Sequence, residues 1–193
     1  MNEKPILFNS EMVNAILSGR KTMTRRIMGN QPAGQDLEAV HVRHNDDFNF
    51  QWHGNLGESS YFPCPLGKPG DQLWVRETWN KHGGLLTYRA DYDWIEEMRK
   101  ATVCPAKWTP SIHMPRWASR INLLITGVRV ERLNTISTGD AMAEGYPAER
   151  EATGGSLDAW LWFRELWDGI YPDNTFEVNP WCWVIEFERM EAK

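Results

Sequence analysis

Apolar positions change period several times along the chain, and each change marks an element. After Asn9-Ser10, the run EMVNAILSG places Met12, Val13, Ile16 and Leu17 at helical spacing. Either polar residue can cap that helix, and Gly19 stands where it would end. The following RKTMTRRI, with its threonines and branched residue, predicts extended chain. QLWVRETW alternates, with Leu73 and Val75 on one face and Trp74 and Arg76 on the other. INLLITGVRVERL predicts a long strand with Gly127 as a bulge. Ser137 opens a short helix with Asp140 at the capping-box position and Gly145 at its end. GGSLDAWLWFRELWDGIY is the clearest helix, with Ser156 as its cap and Asp158 in the first turn, where the helix dipole favours an anion. WCWVIEFER predicts a closing strand, with Trp181, Trp183, Ile185 and Phe187 opposite Cys182, Val184, Glu186 and Glu188.

Two regions lack a period. Residues 28–70 are rich in Gly, Asn, Asp, His and Pro and read as long loops with one short strand near 40–42. There, YFPCPLGKPGD is a loop ending in a Gly-Asp turn. In 80–120, YDWIEEMRK predicts a short helix, and the three prolines of CPAKWTPSIHMPRWASR prevent a long one. The expected architecture is α+β: one domain over 1–193, built on a small barrel of mixed strands with flanking short helices and two long loop insertions at about 28–69 and 80–120. Connection lengths exclude a doubly wound fold.

Composition narrows the functional classes. The 193 residues carry 21 Lys plus Arg against 26 Asp plus Glu, a formal charge of −5, which argues against indiscriminate coating of DNA but leaves room for a local basic cleft. No apolar run is long enough to span a membrane, and MNEKPILFNS lacks the basic-then-apolar pattern of a signal sequence, so the expected location is the cytoplasm. Cys64, Cys104 and Cys182 form no CxxC pair, and His41, His44 and His53 complete no ligand set, so no metal is expected. Phosphate-cradling glycine motifs and the GxSxG elbow are absent, and nothing calls for a cofactor. Most of the eleven tryptophans are expected to fill the core of a small domain, with two or three serving as stacking faces at a site.

The unusual charge lies in SGRKTMTRR, residues 18–26, where Arg20, Lys21, Arg25 and Arg26 flank two threonines without an acid. A solvated turn after a helix explains Arg20 and Lys21. It explains Thr22, Thr24 and the further arginines less well. Burial and neighbouring cations can lower a lysine's pKa until it takes a proton from a nearby hydroxyl. Lys21 and Thr24 are three positions apart, so a shared site requires a bend or helical turn here.

ILSGRKTMTRR resembles the opening signature of the ASCH domain, a branch of the PUA-like barrels. Gly70-Asp71-Gln72-Leu73 is similar to that family's GDxL strand entry, Ala141 to Gly145 to its AxAEG helix, and Ile170-Tyr171-Pro172 with Val184 to Phe187 to its IYP…VIEF close. The motifs run in order along the chain, although 28–69 and 80–120 have no counterpart in the smallest members, and Arg25 stands where those members often carry an apolar residue. The chain also resembles longer ASCH proteins encoded by phages and prophages. Some bacterial ASCH proteins are amidohydrolases that deacylate the exocyclic amine of acylated cytidine. The resemblance implies Lys21 as base, Thr24 as nucleophile and Glu144 as acid. Glu144 also reads as a surface glutamate on a short helix.

WTPSIHMPRWASR and the residue before it interleave Lys107, Trp108, His113, Arg116, Trp117 and Arg120 without an acid, a pattern suited to phosphate contacts and base stacking. It equally describes a tryptophan-anchored loop packed on the barrel. Two functional expectations follow. One is an amidohydrolase acting on an acylated pyrimidine nucleoside or similar small amide. The other is a noncatalytic module in which Arg20, Arg25, Arg26, Trp108, Arg116, Trp117 and Arg120 bind single-stranded RNA or a modified base.

Overall fold

The computed structural model describes residues 2–32, 36, 38–92 and 107–191. Its centre is a five-stranded sheet in the order β1-β7-β10-β11-β2, formed by β1 (Glu3–Leu7), β7 (Gln72–Arg76), β10 (Asn122–Arg132), β11 (Trp181–Arg189) and β2 (Met23–Ile27). β1 and β7 run parallel and the other pairs antiparallel, so the sheet is mixed. β1 was not anticipated from the sequence. It holds Pro5, which an edge strand tolerates because one side of its ladder is open. Among the described residues no ladder joins β1 to β2. Instead Arg26 Nη2 donates to the Leu7 carbonyl at 2.7 Å, and the Arg26 guanidinium lies 5.2 Å from the Phe8 ring centre, so a side chain spans the gap between the sheet's two edges.

The inner face buries Leu73, Val75, Leu123, Ile125, Val128, Val130, Trp183, Ile185 and Phe187 in one core. β10 supplies odd-numbered residues to it before Gly127 and even-numbered ones after. The cause is a bulge, seen as a register shift between Ile125 and Gly127. The shift also turns Arg129 and Glu131 to the outer face, opposite Val184 and Cys182 of β11.

Three helices are long or short as their signals predict. α1 (Ser10–Leu17) is capped by Asn9, whose side chain accepts from the Met12 amide. α2 (Thr138–Ala143) is capped by Ser137, and α4 (Asp158–Ile170) presses Ala159, Phe163 and Trp167 onto Cys182 and Leu133 of the outer face. The expected Ser156 cap is not used: α4 begins after Leu157, and Asp158 instead pairs with Arg150 beside the short α3 (Ala148–Glu151).

The irregular regions are more ordered than their sequence pattern suggests. Within 28–69, β3 (His41–His44), β4 (Asn49–Gly54), β5 (Gly57–Glu58) and β6 (Phe62–Pro63) form a second, antiparallel sheet. Its strands are short and its outward positions are His, Arg and Gln, which masks the period. Inward, Phe50 and Trp52 meet Trp183 and Trp181 edge-on at 5.0 and 5.1 Å. In 80–120, β8 (Trp79–His82) and β9 (Leu85–Tyr88) make a hairpin whose turn, Gly83-Gly84, has φ of 56° and 89°. Beyond it, Ser111–His113 and Arg116–Ala118 are single 3-10 turns, in line with the prolines around them. The helix expected in YDWIEEMRK lies almost wholly outside the described residues.

Asp71 fastens the chain's start to β7. Its carboxylate accepts from the Asn2 amide at 2.8 Å and the Lys68 amide at 3.1 Å. The Asn2 bond foremost holds the carboxyl below its usual range, with burial opposing it. A depressed folded-state pKa means stability that is present above the unfolded value of about 3.9 and lost as pH falls through the folded one. Asp71→Asn is therefore expected to lower the urea midpoint at pH 7, and the gap to wild type is expected to close on acidification below that window.

Candidate functional site

The chain bends between α1 and β2. Gly19 takes φ 77°, the Lys21 amide donates to the Ala15 carbonyl at 3.0 Å, and Lys21 makes an isolated antiparallel bridge to Glu144. Glu144 is the C-cap of α2, followed by Gly145 at φ 107°. A Cβ on Gly145 would stand 3.0 Å from the Ala15 Cβ and 3.3 Å from the Lys21 Cβ, so glycine lets the turn after α2 rest directly on the lysine.

The contact is polar and buried. Lys21 Nζ donates to Glu144 Oε2 and to the Glu144 carbonyl, both at 2.8 Å, across 123 positions of sequence. Two of its three donors are used. Relative exposure is 2% for Lys21, 3% for Thr24 and 4% for Glu144, so no member of the expected trio stands open to solvent. Burial, the largest influence, pushes the Lys21 ammonium below its usual pKa; Glu144 opposes this, while Arg26 and Arg25 add to it.

β2 divides the remaining residues between two faces. Thr24 lies opposite Ile185 and Arg26 opposite Trp183, both on the inner side; Arg25 lies opposite Val184 on the outer side. Lys21 stands at the rim, its Nζ 5.6 Å from the centre of the inner-face Phe8 ring while bonded to Glu144. Among the described residues no hydrogen bond joins Thr24 to Lys21 or Glu144. The structure thus brings Lys21 and Glu144 together and places Thr24 on the inner face, with no bond to either among the described residues.

Arg25 was expected as a ligand contact and is instead spent internally. Its side chain is wholly buried and pairs with Glu144 at 3.3 Å, Glu131 at 3.2 Å and Asp140 at 2.6 Å. Arg129 continues the network outward to Asp140 at 3.1 Å and to Glu131 and Glu186. In all, three cations (Lys21, Arg25, Arg129) face four carboxylates (Glu131, Asp140, Glu144, Glu186). The Asp140 amide donates to the Ser137 hydroxyl that caps α2, while its carboxylate serves the arginines, which is why the capping box is only half made. Cys182 lies beneath this cluster, fully buried, its thiol pushed up to about 12, chiefly by burial, and so inert as a nucleophile at neutral pH.

Glu144 and Gly145 also form part of the wall of a cleft of about 730 Å³. Its other sides are α1 (Met12, Asn14) with the following Ser18, α3 (Glu149, Arg150) and α4 (Trp162, Leu166), with Arg20 among the lining. Arg20 donates to Ser18 Oγ at 3.1 Å and to the Gly145 and Tyr146 carbonyls at 3.3 and 3.0 Å. Sequence reasoning missed Trp162, which sits in the α4 pattern as one more helical aromatic.

The other expected binding residues lie elsewhere. Arg116 bonds Glu3 and Asn122 and lies 5.7 Å from the Trp74 ring; Trp74 also carries the Arg76 guanidinium at 4.8 Å. Arg120 forms a fork on Glu77 at 2.9 and 3.1 Å and reaches Asp91. Glu77 is buried, and burial raises its carboxyl pKa against the pull of Arg120. The loop that has no acid in sequence thus finds acids in space. Trp117 is 61% exposed, edge-on to Trp79 at 5.6 Å, with Lys81 Nζ 5.0 Å from its ring centre. Trp108 is half-buried against Tyr92. Among the described residues, no cluster of His, Cys, Asp and Glu is arranged to hold a metal ion, and no helix is long and apolar enough to cross a membrane.

No family model matches the chain, and no curated protein does. Two solved structures are similar to it. One is an ASCH domain from Lactobacillus crispatus JV V101, at 13% identity and a TM-score of 0.43, covering 97% of this chain and 79% of that one. The other is protein EF3133 from Enterococcus faecalis V583, of the DUF984 family model, at 12% identity and a TM-score of 0.41, covering 98% and 80%.

Removing Arg25 would leave Asp140, Glu131 and Glu144 short of a buried cation. Losing one partner of a buried pair costs about 3–5 kcal/mol. Arg25→Met is expected to destabilise by an amount in that range in urea unfolding, and Arg25→Met with Asp140→Asn by less than Arg25→Met alone.

Proposed function

We propose that this chain is an ASCH-type amidohydrolase that removes an acyl group from an exocyclic amine on a nucleobase. The observation that carries the reading is the Lys21–Glu144 bond at 2.8 Å between buried side chains. Such a pair needs one proton transfer, from ammonium to carboxylate, to become a neutral amine and a carboxylic acid. That is the base and the acid that amide cleavage requires. The lowered pKa of Lys21 favours this exchange; Arg25, 3.3 Å from Glu144 Oε1, opposes it.

The chemistry balances with these residues and one water. The Lys21 amine takes the Thr24 hydroxyl proton as the oxygen attacks the acyl carbon. The C–N bond breaks, the leaving amine takes the proton from Glu144, and an ester on Thr24 remains. Water then cleaves the ester, releasing the carboxylic acid and restoring the hydroxyl. The sequence signature GRKTMTRR and the Glu144 of AMAEG support the assignment, since both segments meet at one point.

A second reading is a noncatalytic module that binds a modified base or RNA. The near-complete burial of Lys21, Thr24 and Glu144, with no bond between Lys21 and Thr24, favours it. One measurement separates the two. Purified protein with N4-acetylcytidine is expected to release cytidine and acetate, and Lys21→Met, Thr24→Val and Glu144→Gln are each expected to lose about 10²-fold or more. The rate should fall as pH rises through the lysine's lowered pKa, because the pair must keep one proton to present a neutral amine beside a protonated carboxyl. Binding of N4-acetylcytidine without turnover would replace hydrolysis by the second reading.

A further inference from the structure

Resting on the reading of the Lys21–Glu144 site, the cleft that Glu144 helps to line carries information about what enters it. Most arginines near the site are neutralised: Arg25 and Arg129 by the carboxylates of the network, and Arg150 by both oxygens of Asp158. Arg20 differs. Its Nε and Nη1 donate to Ser18 Oγ and two backbone carbonyls, it has no carboxylate partner, and among the described residues its Nη2 is unengaged. A guanidinium fixed at one end by neutral acceptors and free at the other keeps its full charge and an open pair of N–H groups for an anion.

Trp162 is the aromatic side chain in the lining, half-buried and held edge-on by Tyr146 at 5.7 Å. Tyr146 is also the residue whose carbonyl Arg20 binds, so one residue positions both the ring and the cation. Glu11 and Glu149, exposed and without an ion pair among the described residues, complete the charged lining. One uncompensated cation suits one phosphate, and two free carboxylates oppose a chain of them.

We infer that the cleft between α1 and α4 takes a single mononucleotide, with its base on Trp162 and its phosphate on Arg20, while Glu11 and Glu149 keep polymeric nucleic acid out. Calorimetric titration of the whole chain with CMP, cytidine and decacytidylate tests this. CMP is expected to bind about tenfold more tightly than cytidine, and decacytidylate no more tightly than CMP. Arg20→Gln should erase the CMP preference and Arg20→Lys restore part of it, with thermal melts checking that each variant folds. Trp162→Leu should weaken CMP and cytidine alike, roughly fivefold or more, as loss of a stacking face does. Equal affinity for CMP and cytidine, tighter binding of the decamer, or no binding of CMP would each overturn the inference. The two proposals fail separately: Lys21→Met should stop turnover yet keep CMP binding, and turnover of acetylcytidine without a CMP preference would remove only the mononucleotide site.

Discussion

The structure turns on keeping a lysine out of water. Desolvating an ammonium and a carboxylate costs several kcal/mol per ion, which their attraction repays only when geometry is good and the remaining donors and acceptors are met. Here Lys21 has two acceptors on one residue, side chain and backbone, and Glu144 has a cation on each oxygen. The backbone makes this possible at two glycines. Gly19 reverses the chain after α1, and Gly145 admits the turn after α2 to within contact of the lysine stem. Packing of the two helices and formation of the ion pair are therefore one event.

The second arginine layer follows from a single extra residue in β10. Without the bulge at Gly127, strict alternation from Leu123 would send Arg129 and Glu131 into the apolar core. With it, both join Arg25 on the outer face, and Glu186 folds over the glycine, where a Cβ would stand 2.7 Å from Glu186 Oε2. Charge that would be ruinous inside becomes a graded network, fully buried at Arg25 and partly exposed at Arg129 and Glu186.

Much of this was legible in the residues, and the limits have physical causes. A cap within Asn9-Ser10, which the structure gives to Asn9, the Gly127 bulge and the inward row of β11 are local signals, and they hold. The second sheet was missed although FNFQW alternates, because its strands are short and sit among turn-forming residues. The Gly83-Gly84 hairpin signal was likewise present and outweighed by the irregular composition around it. For the site, the approach of Lys21 to Glu144 came only from resemblance; nothing in local pattern links positions so far apart. The partners of Arg25, Arg116 and Arg120 were beyond a reading of neighbours in sequence, since each finds its acid across the fold.

The division of β2 into two faces sharpens what the site must do to react. Glu144 and Arg25 meet on the outer side, Thr24 points with Ile185 to the inner side, and Lys21 at the rim bonds Glu144 with its Nζ 5.6 Å from the centre of the inner-face Phe8 ring. Its third donor is the one left over from Glu144. On the proposed amidohydrolase reading, proton traffic between the hydroxyl and the carboxylate would pass through the lysine nitrogen, and a substrate would have to reach the rim of β2. The cleft ends at Glu144 and Gly145, with the lysine stem directly behind the glycine. On the same proposed reading, a substrate seated there would meet Glu144 first, with its leaving nitrogen rather than its acyl carbon toward the cleft wall.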